Sequence, residues 1–235
     1  MKKQIQIFFI VLLSAILFYQ MLPADAPEAS AVYSDKSCAM SLTFDDGPSP
    51  VYTPPLLEGL KARGVHATFF LLGEQVEEQP ALVRKIAADG HQIGNHTFSH
   101  VFLNRLSGEE AAEEIRCCDL ALESILGKGE YWVRPPYGAI DPERIKELKV
   151  PVICWSVDPR DWEVRDTEKI LSHIMKNAKD GSIILLHDSY PSSVEAALEA
   201  VDRLQAQGVE FLTVRQLLAR KGIEASAGTV YRYVQ

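Results

Sequence analysis

Short apolar runs alternate with segments of helical periodicity along nearly the whole chain, and that order decides the class of fold. The runs are Ala39 to Phe44, Val65 to Leu72, His91 to Asn95, Tyr131 to Arg134, Val150 to Val157, Ser182 to His187 and Glu210 to Val214. Between them, the segments Thr53 to Arg63, Pro80 to Asp89, Ser107 to Leu126, Asp141 to Leu148, Thr167 to Lys179 and Ser193 to Gln207 carry apolar residues at helical spacing. Gly64, Gly90, Gly127, Gly181 and Gly208 stand where helices should stop. Strands joined through helices pair in parallel, and a parallel sheet needs helices over its faces. The pattern predicts an α/β fold with about seven parallel strands in a single domain. Periodicity alone leaves open whether the sheet closes as a barrel or stays open and doubly wound.

The N-terminus reads differently. Met1-Lys2-Lys3 precedes an apolar stretch from Ile5 to Leu22, and Ala29-Ser30-Ala31 offers a small-x-small cleavage site. Residues 1–31 are expected to be a signal peptide or, if uncleaved, an N-terminal membrane anchor, so the rest works outside the cytoplasm, extracellular or cell-wall associated. Residues 32–38 form a short polar lead-in, 39–222 the folded domain and 223–235 a C-terminal tail. With 235 residues, 47% of them hydrophobic and 24% charged, the chain suits one globular core rather than a disordered or polytopic membrane protein. Its net charge of −8 argues against holding nucleic acid or anionic lipid by general electrostatics. Membrane contact is expected only through an uncleaved N-terminal segment, and the protein is expected to be a monomer. Cys38, Cys117, Cys118 and Cys154 lack the spacing of a metal knuckle and take no role.

Every chemically loaded segment follows a strand. The first strand runs into Thr43-Phe44-Asp45-Asp46-Gly47-Pro48-Ser49, and the third into His96-Thr97-Phe98-Ser99-His100, whose histidines at i and i+4 can face one ion from a single helical turn. The fourth ends in Arg134-Pro135-Pro136-Tyr137-Gly138, the fifth precedes Asp158-Pro159-Arg160-Asp161-Trp162, and the sixth delivers Leu185-Leu186-His187. Each segment alone reads equally well as a turn or a solvated strand end. In parallel α/β folds, however, the carboxyl ends of the strands converge on one face. Asp45, Asp46, His96, His100, Arg134, Asp161 and His187 would all lie there.

Taken in order, TFDDGPS, HTFSH, RPPYG, DPRDW and LLH closely resemble the five motifs of the carbohydrate esterase family 4 polysaccharide deacetylases, the NodB-homology domains. The resemblance implies a deformed (β/α) barrel with fewer than eight strands and metal-dependent removal of acetyl groups from N-acetylated sugars. It makes Asp45 the general base and Asp46, His96 and His100 the metal ligands. Arg134 resembles the residue that positions and polarises the base, and Tyr137 the one whose backbone N–H helps hold the oxyanion. Asp161 resembles the partner of the acid His187, while Trp162 and Leu185 look like walls of the groove and of the acetyl pocket. A two-His, one-carboxylate site in a hydrolase implies zinc, with cobalt as a substitute. The expected partner is an acetylated glycan, with N-acetylglucosamine of peptidoglycan as the leading substrate. Three alternatives stay open: an O-acetyl esterase acting on acetylxylan or another acetylated glycan, a chitooligosaccharide deacetylase, and a non-catalytic glycan-binding module.

Overall fold

The structure, a computed structural model, describes residues 38–235. The export segment expected over 1–31, and the lead-in up to residue 37, lie outside the described residues. In chain order the strands are β1 (Ala39–Asp45), β2 (Thr68–Leu71), β3 (Gln92–Asn95), β4 (Val152–Ile153), β5 (Ile183–His187), β6 (Glu210–Phe211) and β7 (Val230–Tyr231). The helices are α1 (Thr53–Ala62), α2 (Gly73–Glu78), α3 (Pro80–Ala88), α4 (Gly108–Leu126), α5 (Pro142–Glu147), α6 (Asp161–Val164), α7 (Thr167–Asn177), α8 (Pro191–Gln205) and α9 (Val214–Arg220). None of the described helices is long and apolar enough to cross a membrane.

The main sheet runs β3-β2-β1-β5, with β6 also on β1, and every pairing is parallel. From β3 round to β5 the circuit closes through single parallel bridges, Asn95 to Val133, Val133 to Val152 and Val157 to Ile184. The result is a deformed barrel. Tyr131 to Arg134, expected as a full strand, is only a bridge. It bonds on both sides, Arg134 N–H to the Asn95 carbonyl at 2.9 Å and Val133 N–H to the Pro151 carbonyl at 3.1 Å. Pro135 and Pro136 then end it, because proline has no N–H to continue a ladder.

The seventh ladder strand is instead β7, in the segment set apart as a tail. It pairs with β4, and Val234 behind it is buried at 1% exposure. The Val234 N–H bonds to the Gly181 carbonyl at 2.9 Å. Gly181 has φ 85°, and a Cβ there would stand 1.7 Å from the Val234 carbonyl oxygen, so only glycine permits this approach.

Alternation along the strands separates two cores. Met40, Leu42, Phe44, Phe69, Leu71, Ile184 and Leu186 pack outward under the helices. Ala39, Phe70 and Ile183 point inward with Trp132, Ile153, Leu217 and Val234. Continuing the inward row by twos brings Thr43 and Asp45 on β1, and Leu185 and His187 on β5, to the carboxyl end of the barrel.

Candidate active site

Register places the first pair. Asp45 and His187 are direct partners across β1 and β5, so the two strands end together with both side chains on the inner face. Each is held from behind by a buried charged residue. Arg134 donates from Nη1 to Asp45 Oδ1 at 2.7 Å and to Thr43 Oγ1 at 2.8 Å. Its Nε and Nη2 donate to the carbonyls of Ile153 and Cys154, both at 3.1 Å, and the guanidinium lies 4.1 Å over the Phe70 ring. These contacts leave the arginine little freedom, and Asp45 is fixed with it.

Behind His187, the buried Asp161 carboxylate accepts twice, from the His187 backbone N–H and from the ring Nδ1–H, each at 2.8 Å. Ring Nε2 is left pointing toward the groove, 3.9 Å from Asp46 Oδ2. Burial alone would lower His187, but the Asp161 hydrogen bond and the charges of Asp161, Asp45 and Asp46 outweigh it and raise the imidazole to about 9. His187 therefore carries a proton on both ring nitrogens at neutral pH.

The histidine loop is not the helical turn that i, i+4 spacing predicts. Residues 96–100 are irregular, with Thr97 at φ 69° and His100 at φ 57°. Two outside groups impose this path. Buried Asn95 accepts the Thr97 N–H at 2.8 Å while its amide donates to Ile115 O and Asp119 Oδ1. Glu114 of α4 accepts from Phe98 N–H, Ser99 N–H and the Ser99 hydroxyl. His96 Nδ1 lies 2.7 Å from the Arg134 carbonyl. A carbonyl only accepts, so Nδ1 carries a proton, and in the neutral ring Nε2 is the nitrogen that offers a lone pair.

His96 Nε2 and His100 Nε2 stand 3.4 Å and 3.3 Å from Asp46 Oδ1. That oxygen is buried with no hydrogen-bond partner. One ligand atom from each of the three residues lies within 4.8 Å of the others. Two imidazole nitrogens and a carboxylate oxygen so arranged fit a divalent cation. Burial opposes the charged form of Asp46, yet His96, His187 and His100 around it hold its carboxyl down at about 2. Asp46 is thus an anion throughout the physiological range. Burial lowers His100, which favours its neutral ring.

Eight of the ten residues expected from sequence line one open groove of about 410 Å³: Asp45, Asp46, His96, His100, Tyr137, Trp162, Leu185 and His187. The other two, Arg134 and Asp161, lie behind Asp45 and His187. Tyr137, at φ 61° and 62% exposed, lays its ring 4.9 Å from that of His100, and Trp162 is 44% exposed at the rim. Trp155, Asp158 and Tyr190 also line the groove and were not singled out from sequence. Asp158 and Tyr190 stand just beyond apolar runs and Trp155 lies inside one. Among the six described non-glycine residues with positive φ, Asp46, Thr97, His100 and Tyr137 are all here, where strained backbone commonly marks function.

The sequence profile of the polysaccharide deacetylase family matches residues 33–150. The chain belongs to the polysaccharide deacetylase family. It is 42% identical over 178 residues to the peptidoglycan-N-acetylmuramic acid deacetylase PdaC of Bacillus subtilis, covering 76% of this chain and 38% of that protein. It is 36% identical over 195 residues to the peptidoglycan-N-acetylglucosamine deacetylase PgdA of Listeria monocytogenes, covering 83% of this chain and 41% of that one. The chain thus spans about two fifths of the length of these relatives. The solved structure of PdaC superposes with a TM-score of 0.78 at 40% identity, over 80% of this chain and 94% of that one. A family 4 acetyl xylan esterase from Clostridium thermocellum, solved with a cobalt ion, superposes at 0.79 and 28% identity, over 83% and 98% of the two chains. Polysaccharide deacetylases of this family are metal-dependent, and the triad Asp46, His96 and His100 is a possible metal site in this member.

Proposed function

We propose that the chain hydrolyses acetyl groups from an acetylated extracellular polysaccharide, with N-acetylglucosamine of peptidoglycan as the leading substrate. The observation that carries this reading is the register of Asp45 with His187 at the mouth of one groove, beside the Asp46, His96 and His100 donor set. Amide hydrolysis needs a base for water and an acid for the leaving amine, and these two residues are held separately for the two tasks. Asp45, fixed by Arg134, accepts the proton of the attacking water. His187, held protonated by Asp161, delivers a proton to the amine nitrogen as the C–N bond breaks. The Tyr137 backbone N–H serves the developing oxyanion, a donor whose loss costs about 3 kcal/mol in comparable sites. Leu185 and Trp162 form the walls that seat the acetyl group and the sugar.

Asp46, His96 and His100 would hold the metal, which we take to be zinc, with cobalt able to replace it. A divalent cation bound there supplies charge that polarises the acyl carbonyl and acidifies water. The names of the two bacterial relatives support a cell-wall substrate, and export through residues 1–31 would bring a monomeric enzyme to it. Incubating the purified protein with peptidoglycan, chitooligosaccharides and acetylxylan tests the assignment. Acetate released with new free amines from peptidoglycan is the expected result. Acetate from acetylxylan alone would make the chain an O-acetyl esterase, and glycan binding without acetate release would make it a binding module.

A further inference from the structure

One buried acid at the carboxyl end of the barrel has no place in that chemistry. Asp188 follows His187 directly, and strand alternation sends the two side chains to opposite sides, His187 to the groove and Asp188 into the fold at 0% exposure. Its Oδ2 accepts the hydroxyl of Thr53, and that same Thr53 oxygen accepts the Ser49 backbone N–H at 2.7 Å. Thr53 N–H bonds in turn to the Ser49 carbonyl at 3.1 Å. The carboxyl also lies directly against Gly47, where an added Cβ would come within 2.5 Å of both its oxygens. A single side chain from the end of β5 therefore braces the loop 47–49 and the start of α1. That loop begins at Asp46, whose backbone is in the left-handed region at φ 70°. A non-glycine residue there is held by its surroundings and not by its own preference.

We infer that Asp188 is a positioning residue for Asp46: it fastens the loop after β1 to the end of β5 and so sets where the Asp46 carboxylate stands relative to His96 and His100. The inference rests on Asp46, His96 and His100 being the metal ligands. Burial pushes the Asp188 carboxyl up to about 7, against the Thr53 hydrogen bond. An amide of the same shape that still offers an oxygen to Thr53 is the conservative replacement.

The test is zinc affinity, by competition with a chromogenic chelator, and the visible spectrum of the cobalt-loaded protein, for wild type, Asp188→Ala, Asp188→Asn and Thr53→Val. Asp188→Ala is expected to weaken zinc by about tenfold or more and to alter the cobalt bands, as loss of a group supporting a ligand does. Asp188→Asn is expected to stay within about threefold of wild type, because the acceptor for Thr53 survives. Wild-type affinity and an unchanged cobalt spectrum in Asp188→Ala would overturn the inference, even if its thermal midpoint falls. Equal loss in Asp188→Ala and Asp188→Asn would overturn it too. If Asp188→Ala does not fold, Thr53→Val decides: weaker zinc binding supports the brace, and unchanged binding overturns it. Failure of wild type itself to bind zinc or cobalt would instead remove the metal assignment on which the brace depends.

Discussion

Replacing His96 and replacing His187 are expected to have different consequences, although both residues line one groove. His96 aims Nε2 at Asp46, whereas His187 is tied to Asp161 and reaches only to 3.9 Å from Asp46. Elemental analysis should find zinc lost from His96→Ala but retained in His187→Ala, with activity down by roughly a hundredfold or more in the latter. Equal metal loss in both would contradict the division. Asp161→Asn tests the acid more finely. His187 must be protonated to act, so activity falls as pH rises through its pKa, which the Asp161 carboxylate raises. Removing that charge lowers the pKa, and the basic limb of the pH–rate profile is expected to move down by about 1 to 3 pH units. An unmoved limb would mean another group sets it. Much of the candidate site was legible because Asp45, Asp46, His96, His100 and His187 are polar groups at or just beyond the ends of apolar runs. Trp155 and Tyr190 were not, since an aromatic residue beside an apolar run reads equally well as core. Asp188 was hidden by its neighbour: an acid after His187 looks solvated until the fold shows it buried.

Among the elements, long strongly periodic segments came through best. α1, α3, α4, α7 and α8 lie within about two residues of their expected bounds. The short helix α6, which presents Asp161 and Trp162, is only four residues long, too short for periodicity to register. The bridge at Val133 depends on Asn95 and Pro151, and the path of residues 96–100 on Glu114, partners far away in sequence that no local pattern can announce. The segment 223–235 makes the same point. Polar and poor in periodicity, it reads as a tail, yet β7 completes β4 and Val234 fills the inner core. Ending the chain at Gly222 is expected to lower the midpoint of urea unfolding sharply. Burial of Val234 alone accounts for about 1.5 to 3 kcal/mol, before the loss of the ladder partner of β4. A truncated chain with the full-length midpoint would show that the segment is dispensable.

For the molecule as a whole, the alternation of runs predicted parallel strands under helices but could not say whether the ring closes. Closure depends on three single bridges, and no ladder long enough to leave a sequence signature spans the gap between β3 and β5. What the closed ring achieves is convergence. Strands β1, β3 and β5, the bridge at Val133 and helix α6 each deliver one or two polar groups to the same end, and no one element holds a complete site. The acidic balance of −8 is then compatible with a locally defined cation site that takes its selectivity from geometry. The account stands on metal-dependent hydrolysis at Asp46, His96 and His100. Its most direct test is to strip the protein of metal and titrate zinc back while following acetate and free amine released from peptidoglycan. The predicted result is no release from the stripped protein, then equal amounts of acetate and amine rising together and levelling at one ion per chain, since the described residues form one such triad. Acetate release that survives complete metal removal would contradict it.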